Sequence, residues 1–290
     1  MQILPSKELF PFIKHYLFLE SKGTDIKKLR LFSDGNTGIV FTPKNNLTLE
    51  QKDNIPLERL PNSFLYGQIT EFKDIFLLNE TRLIIVVFQP DGINKLLGLP
   101  ANELQDLIVR TEDIFGKDGL QLAERLFEKN TTPEKIRILN TFFIELILRQ
   151  TFKTEVLISP TLNFIFRNKG VVTLSQLVKF TGYTERHLER KFLEAIGMTP
   201  KKFINIVKLH NFLKHLNENP DKATLTQIAY EAGYADQSHL IKEFKKHTGM
   251  TPRSYNDKSE KIAVNLVAFF PSPPMSDLYN LCVNPGSTFV

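Results

Sequence analysis

The sequence predicts an α+β multidomain chain. A β-rich, barrel- or sandwich-like domain with trailing helices should span residues 1–152. An all-α domain of two helix-turn-helix units joined by a long helix should span 156–258, and an irregular tail 259–290. Three observations lead there. Short aromatic and β-branched runs fill the chain up to about Leu97. Apolar residues then recur at helical spacing. Finally, two stretches between Val172 and Tyr255 repeat one pattern: TLSQLVKFTGYTERHLERKFLEAIGMTP, Thr173 to Pro200, and TLTQIAYEAGYADQSHLIKEFKKHTGMTP, Thr224 to Pro252.

In chain order, the predicted strands are His15–Glu20, Lys28–Ser33, Gly38–Pro43, Ser63–Ile69, Asp74–Leu78 and Arg82–Gln89. Turn signals such as Ser33-Asp34-Gly35-Asn36 and Asn79-Glu80 separate them. Short strands at this spacing suit a small barrel or sandwich. Phe41, Phe64, Tyr66, Phe76 and Phe88 either line an apolar pocket or form ordinary core. Pro90-Asp91-Gly92 ends the last strand, and short helices follow at Ile93–Leu97, Ala101–Asp106 and Lys117–Lys129. A longer helix, Pro133–Gln150, begins after the cap Thr132 with proline at its first position. One of its faces carries Ile136, Leu139, Phe142, Phe143, Leu146 and Ile147. That face could pack on the barrel or pair with a second copy of the chain.

Thr151–Glu155 reads as the link between domains, and Ser159-Pro160 starts the next helix with a cap and a first-turn proline. Each repeat opens with a capping box, Thr173 with Gln176 and Thr224 with Gln227: the threonine accepts from an orphan N–H and the glutamine reaches back. A short helix then breaks at Gly-Tyr, where glycine tolerates positive φ. A polar N-cap follows, Thr184 or Asp236, with Ala235 as one extra turn residue in the second copy. Leu188, Phe192 and Ile196 should face inward, leaving Arg186, Glu189, Arg190 and Leu193 outward. In the second copy Leu240 and Phe244 point in, while Gln237, Ser238, Ile241, Lys242 and Lys245 point out. Helix, short turn, helix is the plan in which a second helix enters a DNA major groove. Between the repeats, 200–216 is a strongly apolar helix ended by Asn217-Glu-Asn-Pro220. It should hold the units at a fixed separation.

The Gly-Tyr turns, Leu188-x-Arg190-x-Phe192, Leu240-x-Lys242-x-Phe244-Lys245-Lys246 and the closing Gly249-Met-Thr-Pro252-x-x-Tyr255 together resemble the DNA-binding domain of the AraC/XylS family of bacterial transcription regulators. The resemblance covers Ile158 to Lys258. It implies a sequence-specific regulator, activator or repressor, whose two recognition helices dock in successive major grooves. By it, Arg186, Glu189, Arg190, Gln237, Ser238 and Lys242 are base-reading positions. Thr184, Lys201, Lys202, Lys245 and Lys246 are candidates for the DNA backbone. The chain departs from the family at Lys242 and at Asn256, where arginine is usual. Lysine at 242 lacks the planar fork for bidentate recognition. Phe32-Ser-Asp34-Gly35, Ile39-Val-Phe41 and Val87-Phe88-Gln-Pro90 carry a weaker resemblance to the β-rich domains of such regulators, which implies effector sensing or dimerisation.

Charge and composition agree. The chain has 37 basic and 32 acidic residues. About 16 of the former against 10 of the latter fall in 155–258, the local excess expected for binding phosphate. A metal-dependent cupin-type site needs two or three converging histidines, and the N-terminal half has His15 alone. One cysteine, Cys282, excludes an internal disulfide and a cysteine metal cluster. No Ser-His-Asp or Cys-His set and no phosphate-cradling glycine loop is present. The expectation is therefore no catalytic residues, no metal and no cofactor, with double-stranded DNA as the partner. A small-molecule effector at the N-terminal domain and a homodimer are open additions. Without a signal peptide or an apolar run of about 20 residues, a cytoplasmic location is expected. The rival readings are an architectural DNA-binding protein without strong sequence preference and an enzyme domain fused to a DNA-binding module.

Overall fold

The computed structural model describes residues 1–21, 27–44, 47–50, 58–77, 80–149, 157–218, 224–257, 259–263 and 265–269. The expected link Thr151–Glu155, Cys282 and residues 270–290 lie outside them. The β-rich part contains β1 (Gln2–Ile3), β2 (Ile13–Ser21), β3 (Lys27–Leu31), β4 (Gly38–Phe41), β5 (Leu47–Leu49), β6 (Glu58–Arg59), β7 (Ser63–Tyr66), β8 (Lys73–Leu77) and β9 (Thr81–Phe88). Helix α1 (Gly92–Leu97), a 3-10 turn (Ala101–Leu104), β10 (Ile108–Arg110), α2 (Thr111–Phe115), α3 (Lys117–Glu128) and α4 (Thr132–Arg149) follow. The helical domain is α5 (Ile158–Arg167), α6 (Leu174–Thr181), α7 (Glu185–Ile196), α8 (Pro200–Glu218), α9 (Leu225–Glu231), α10 (Gln237–Thr248) and α11 (Pro252–Asp257). A last hairpin, β11 (Ser259–Ala263) and β12 (Leu266–Phe269), closes the described chain.

The strands form two antiparallel sheets, ordered β1-β2-β9-β4-β7-β10 and β11-β12-β3-β8-β5-β6. Strand β9 shows why they stack. It is apolar from Leu83 to Phe88, and successive side chains leave on opposite faces. Leu83, Ile85 and Val87 meet Leu29, Leu47 and Leu77 of the second sheet. Ile84, Val86 and Phe88 meet α4 at Leu139 and Phe143, with the Phe88 and Phe143 rings edge to face at 5.9 Å. The apolar face of α4 packs on its own barrel, with Leu139 and Phe143 buried and Ile136, Phe142, Leu146 and Ile147 half-buried. An apolar cavity of about 110 Å³ lies between the sheets, lined by Leu31, Leu49, Phe64, Tyr66, Ile75 and Leu266 among others. Of the five aromatic residues considered for a pocket, Phe64 and Tyr66 line it. Phe41 and Phe88 belong to the core under the helices.

Two sequence expectations need correction. Strands β1, β5, β6 and β10 were not anticipated, because two- and three-residue strands are too short to show a period. More consequentially, the irregular tail expected over 259–290 forms the β11–β12 hairpin in its first eleven positions. This hairpin returns from the end of the helical domain to pair with β3. In β12, Leu266, Val267 and Ala268 are all buried although they alternate between faces, and such a strand reads as a continuous apolar stretch.

The barrel and the helical domain share buried surface. Phe32 is fully buried among Leu209, Phe212 and Tyr255. The Arg30 guanidinium clamps Asp74 through Nε–Oδ1 at 2.6 Å and Nη2–Oδ2 at 2.7 Å, lies 4.2 Å from the Phe72 ring, and donates to the Gly249 carbonyl at 3.3 Å. Desolvation opposes ionisation of Asp74, but the hydrogen bonds from Arg30 and Lys28 outweigh it and hold its pKa below the usual value. The C-caps of α7 and α10, Gly197 at φ +82° and Gly249 at φ +70°, both abut the barrel. A Cβ on Gly197 would sit 2.8 Å from the Ala101 carbonyl oxygen.

Gly182 caps α6 at φ +72° with open space around it. Gly182→Ala should therefore cost only the left-handed strain, about 1–2 kcal/mol. Gly197→Ala should cost more, because barrel backbone must also give way. Urea denaturation of the full chain measures both; equal losses would show that the barrel yields freely.

Acid should weaken the assembly. His210 Nε2 lies 3.0 Å from the Ser33 carbonyl of the barrel; since that oxygen only accepts, the neutral ring carries its proton on Nε2. Burial pushes the His210 pKa below its ordinary value, against the opposing pull of Asp34 and the Ser33 carbonyl. His15 and His247 are lowered too, again mainly by burial. The unfolded chain then binds more protons than the folded one, so stability is full above about pH 6.5 and falls as the pH drops below it. The melting temperature should be lower at pH 5.5 than at 7.5, and His210→Gln should shrink that difference.

Candidate nucleic-acid interface

Both reading units are built by local capping chemistry. Thr173 Oγ1 accepts from Gln176 N at 3.2 Å while Gln176 Oε1 accepts from Thr173 N at 2.8 Å. Thr224 and Gln227 repeat this at 3.3 and 2.8 Å. The second helix of each unit is capped in turn. Thr184 Oγ1 accepts from His187 N at 3.3 Å, and Asp236 Oδ1 from His239 N at 2.7 Å. These bonds satisfy N–H groups that a helix start leaves open, and so they fix where α7 and α10 begin.

Burial then decides which face is offered. Leu188, Phe192, Ala195 and Ile196 of α7 are buried in the first unit's core. Arg186, Glu189, Arg190 and Leu193 share one open, shallow surface with Thr184, His187 and Glu194. On α10, Leu240, Phe244 and Thr248 are buried. Ser238, Ile241, Lys242, Lys245 and Lys246 share the corresponding surface. Gln237 stands apart: it is half-buried, and its Oε1 accepts from Thr226 Oγ1 of α9 at 2.9 Å. Lys201 is exposed on the first turn of α8. Lys202 beside it is half-buried; desolvation lowers its pKa, and Asp106 and Glu71 of the barrel oppose that while Lys246 adds to it. Lys202 therefore lies within the influence of Asp106 and Glu71 of the barrel.

The two surfaces differ in charge. The α7 surface mixes Arg186 and Arg190 with Glu189 and Glu194, and Arg190 Nη1 lies 4.0 Å from Glu194 Oε2. A pair this open to water is worth about 0–1 kcal/mol and can be exchanged for a ligand at little cost. The α10 surface holds three lysines and no acid. Two residues of the first surface escaped the sequence reading. His187 stacks on Tyr183, centroids 4.6 Å apart at 12°, a pair that its i, i+4 spacing could have revealed. Asn102 comes from the barrel's 3-10 turn and adjoins the α7 surface; a contact from another domain leaves no local signal. Among the described residues no helix is long and apolar enough to cross a membrane.

A helix-turn-helix domain model matches residues 177–258, and a model for a domain of unknown function (DUF6597) matches residues 1–110. The HTH-type transcriptional activator RhaS of Pectobacterium atrosepticum is 30% identical over 169 residues, covering 56% of this chain and 51% of that protein. An uncharacterized HTH-type transcriptional regulator of Staphylococcus aureus (strain MSSA476) is 29% identical over 94 residues, 32% of this chain. The match takes in only 12% of that staphylococcal protein's length. Among solved structures, ToxT from Vibrio cholerae aligns over 83% of this chain and 96% of its own, with 15% identity and a TM-score of 0.47.

Proposed function

From a C-terminal helix-turn-helix domain of the AraC type, we propose that the whole chain is a sequence-specific DNA-binding transcription regulator that sets α7 and α10 in successive major grooves. The observation that carries this is the pair of equivalent, open recognition faces on one rigid scaffold. Arginine meets the two acceptors of guanine, and glutamate accepts from the cytosine amino group. Arg186, Glu189 and Arg190 supply those groups together on α7. On α10, Ser238 and Lys242 are the base-reading candidates, with Lys245 and Lys246 for phosphate. Gln237 can reach a base only by releasing Thr226 or through its amide nitrogen. Lys201 suits a phosphate contact better than Lys202, which is held near Asp106.

The barrel is the regulatory part in this reading. Its apolar cavity suits a small, mainly apolar effector, with Lys73 and Asp106 among the few polar groups on its wall. Promoter-directed binding also separates this reading from an architectural one, for which affinity would be indifferent to sequence.

The charge difference between the two faces sets a sharp test. Arg190→Ala should cost about 1–3 kcal/mol on the preferred site and less on random DNA. Lys242→Ala should weaken both more evenly and flatten the salt dependence by about one counterion. Binding titrations on the operator and on a scrambled sequence, at fixed salt and then across a salt series, measure both. If Lys242→Ala relaxes specificity as much as Arg190→Ala, the second helix reads bases as fully as the first. If neither variant distinguishes operator from scrambled DNA, the sequence-specific reading fails.

A further inference from the structure

Strands β3 and β12 lie between the barrel cavity and the core of the second helix-turn-helix unit, and β12 comes from beyond the helical domain. In the pairing, Leu266 lies opposite Leu31, Val267 opposite Arg30 and Ala268 opposite Leu29. Phe32 N donates to the Asn265 carbonyl at 3.1 Å, and Asn265 Nδ2 donates to the Phe32 carbonyl at 3.2 Å. Strand alternation then divides the side chains between two compartments. Leu29, Leu31 and Leu266 line the cavity. Phe32 and Val267, both fully buried, belong instead to the core of the second helix-turn-helix unit, with Phe212, Leu240, Phe244 and Tyr255. Arg30 emerges on that same side and reaches the carbonyl of Gly249, the C-cap of α10. The tether is short: α11 ends at Asp257 and β11 begins at Ser259.

We propose that the 259–269 hairpin is a strap that holds the second helix-turn-helix unit against the barrel and passes displacements of the cavity wall to the end of α10. A close-packed wall cannot shift one face while the other stays fixed. Any group that fills the cavity bears on Leu31 and Leu266, and their strand neighbours Arg30, Phe32 and Val267 are seated in the helical domain. The consequence for DNA binding rests on the function proposed above; the strap itself does not, and its test avoids DNA altogether.

Hydrogen exchange of the full chain, followed by mass spectrometry, reads the strap directly. Val267→Asp places a carboxylate in the second unit's core without touching the cavity lining. It should raise exchange at least tenfold in residues 27–31 and 209–216 as well as in 266–269, while β9 and α7 keep their protection. Val267→Ala should give the same pattern with smaller amplitude, and it decides the matter if the aspartate variant unfolds. Leu49→Phe fills the cavity from β5, a strand outside the shared wall, and should change exchange at 27–31 and 240–250 at least threefold. The proposal is overturned if the Val267→Ala effect stays within 259–269 or spreads evenly over the chain. It is equally overturned if the Leu49→Phe effect stops at β5 and β8.

Discussion

Helix α8 is held on several sides at once, and the arrangement of the reading units depends on that. Phe203, Ile204, Ile206 and Val207 complete the core around α7. Leu209, Phe212, Leu213 and Leu216 complete the core around α10. His210 turns to the barrel, and the Phe203 ring lies so close to Gly35 that a Cβ there would be 2.8 Å away. A helix buried in this way has no slack. Its 19 residues rise about 28 Å at 1.5 Å per residue, close to the spacing of about 34 Å between successive major grooves. Neither unit can rotate about α8 without opening the core that it forms with that helix.

The barrel adds a second constraint at equivalent points of the repeat. Gly-Met-Thr-Pro closes both units, and in each the glycine is a left-handed C-cap pressed against the barrel. Gly197 meets Ala101 and Gln68; Gly249 meets Phe72 and Arg30. The barrel thus grips the C-terminal ends of α7 and α10 and leaves their outward faces open, apart from Asn102 beside the α7 surface. A duplicated sequence has become a two-point attachment for an unrelated domain. The conformational freedom of glycine here serves close approach as well as helix termination.

What could be read from sequence was whatever is decided locally. The capping boxes of Thr173 and Thr224, the caps Thr184 and Asp236, the inward residues Leu188, Phe192, Leu240 and Phe244, and the strand run 82–89 all follow from short-range chemistry or period. What escaped depends on a distant partner. The β11–β12 hairpin lies against β3, more than two hundred residues earlier, and Leu266, Val267 and Ala268 are buried alike, so no alternation shows in the sequence. Helix spacing places Gln237 outward, but Thr226 on the preceding helix draws it aside. Lys201 and Lys202 are neighbours in sequence, but Lys201 is exposed while Lys202 is half-buried within the influence of the barrel's Asp106 and Glu71. The cavity was illegible for the same reason: its lining comes from both sheets and from the hairpin, and no single segment carries its outline.

The asymmetry of the two heads follows from where charge sits along each helix. On α10 the lysines at 245 and 246 occupy the last turn, where the partial negative charge of the helix C-terminus favours cations even in the free protein. They favour the helix and remain exposed. On α7 the last turn carries no basic residue, and the arginines at 186 and 190 lie toward the middle and start, interleaved with glutamates. Opposite charges in one reading surface penalise a wrong base as well as rewarding a right one, since an unpaired carboxylate against phosphate or a guanine edge is repelled or left unsatisfied. An all-cationic surface applies no such penalty. In the function proposed above, this distribution suits the first unit to discriminate and the second to hold, with α8 joining the two.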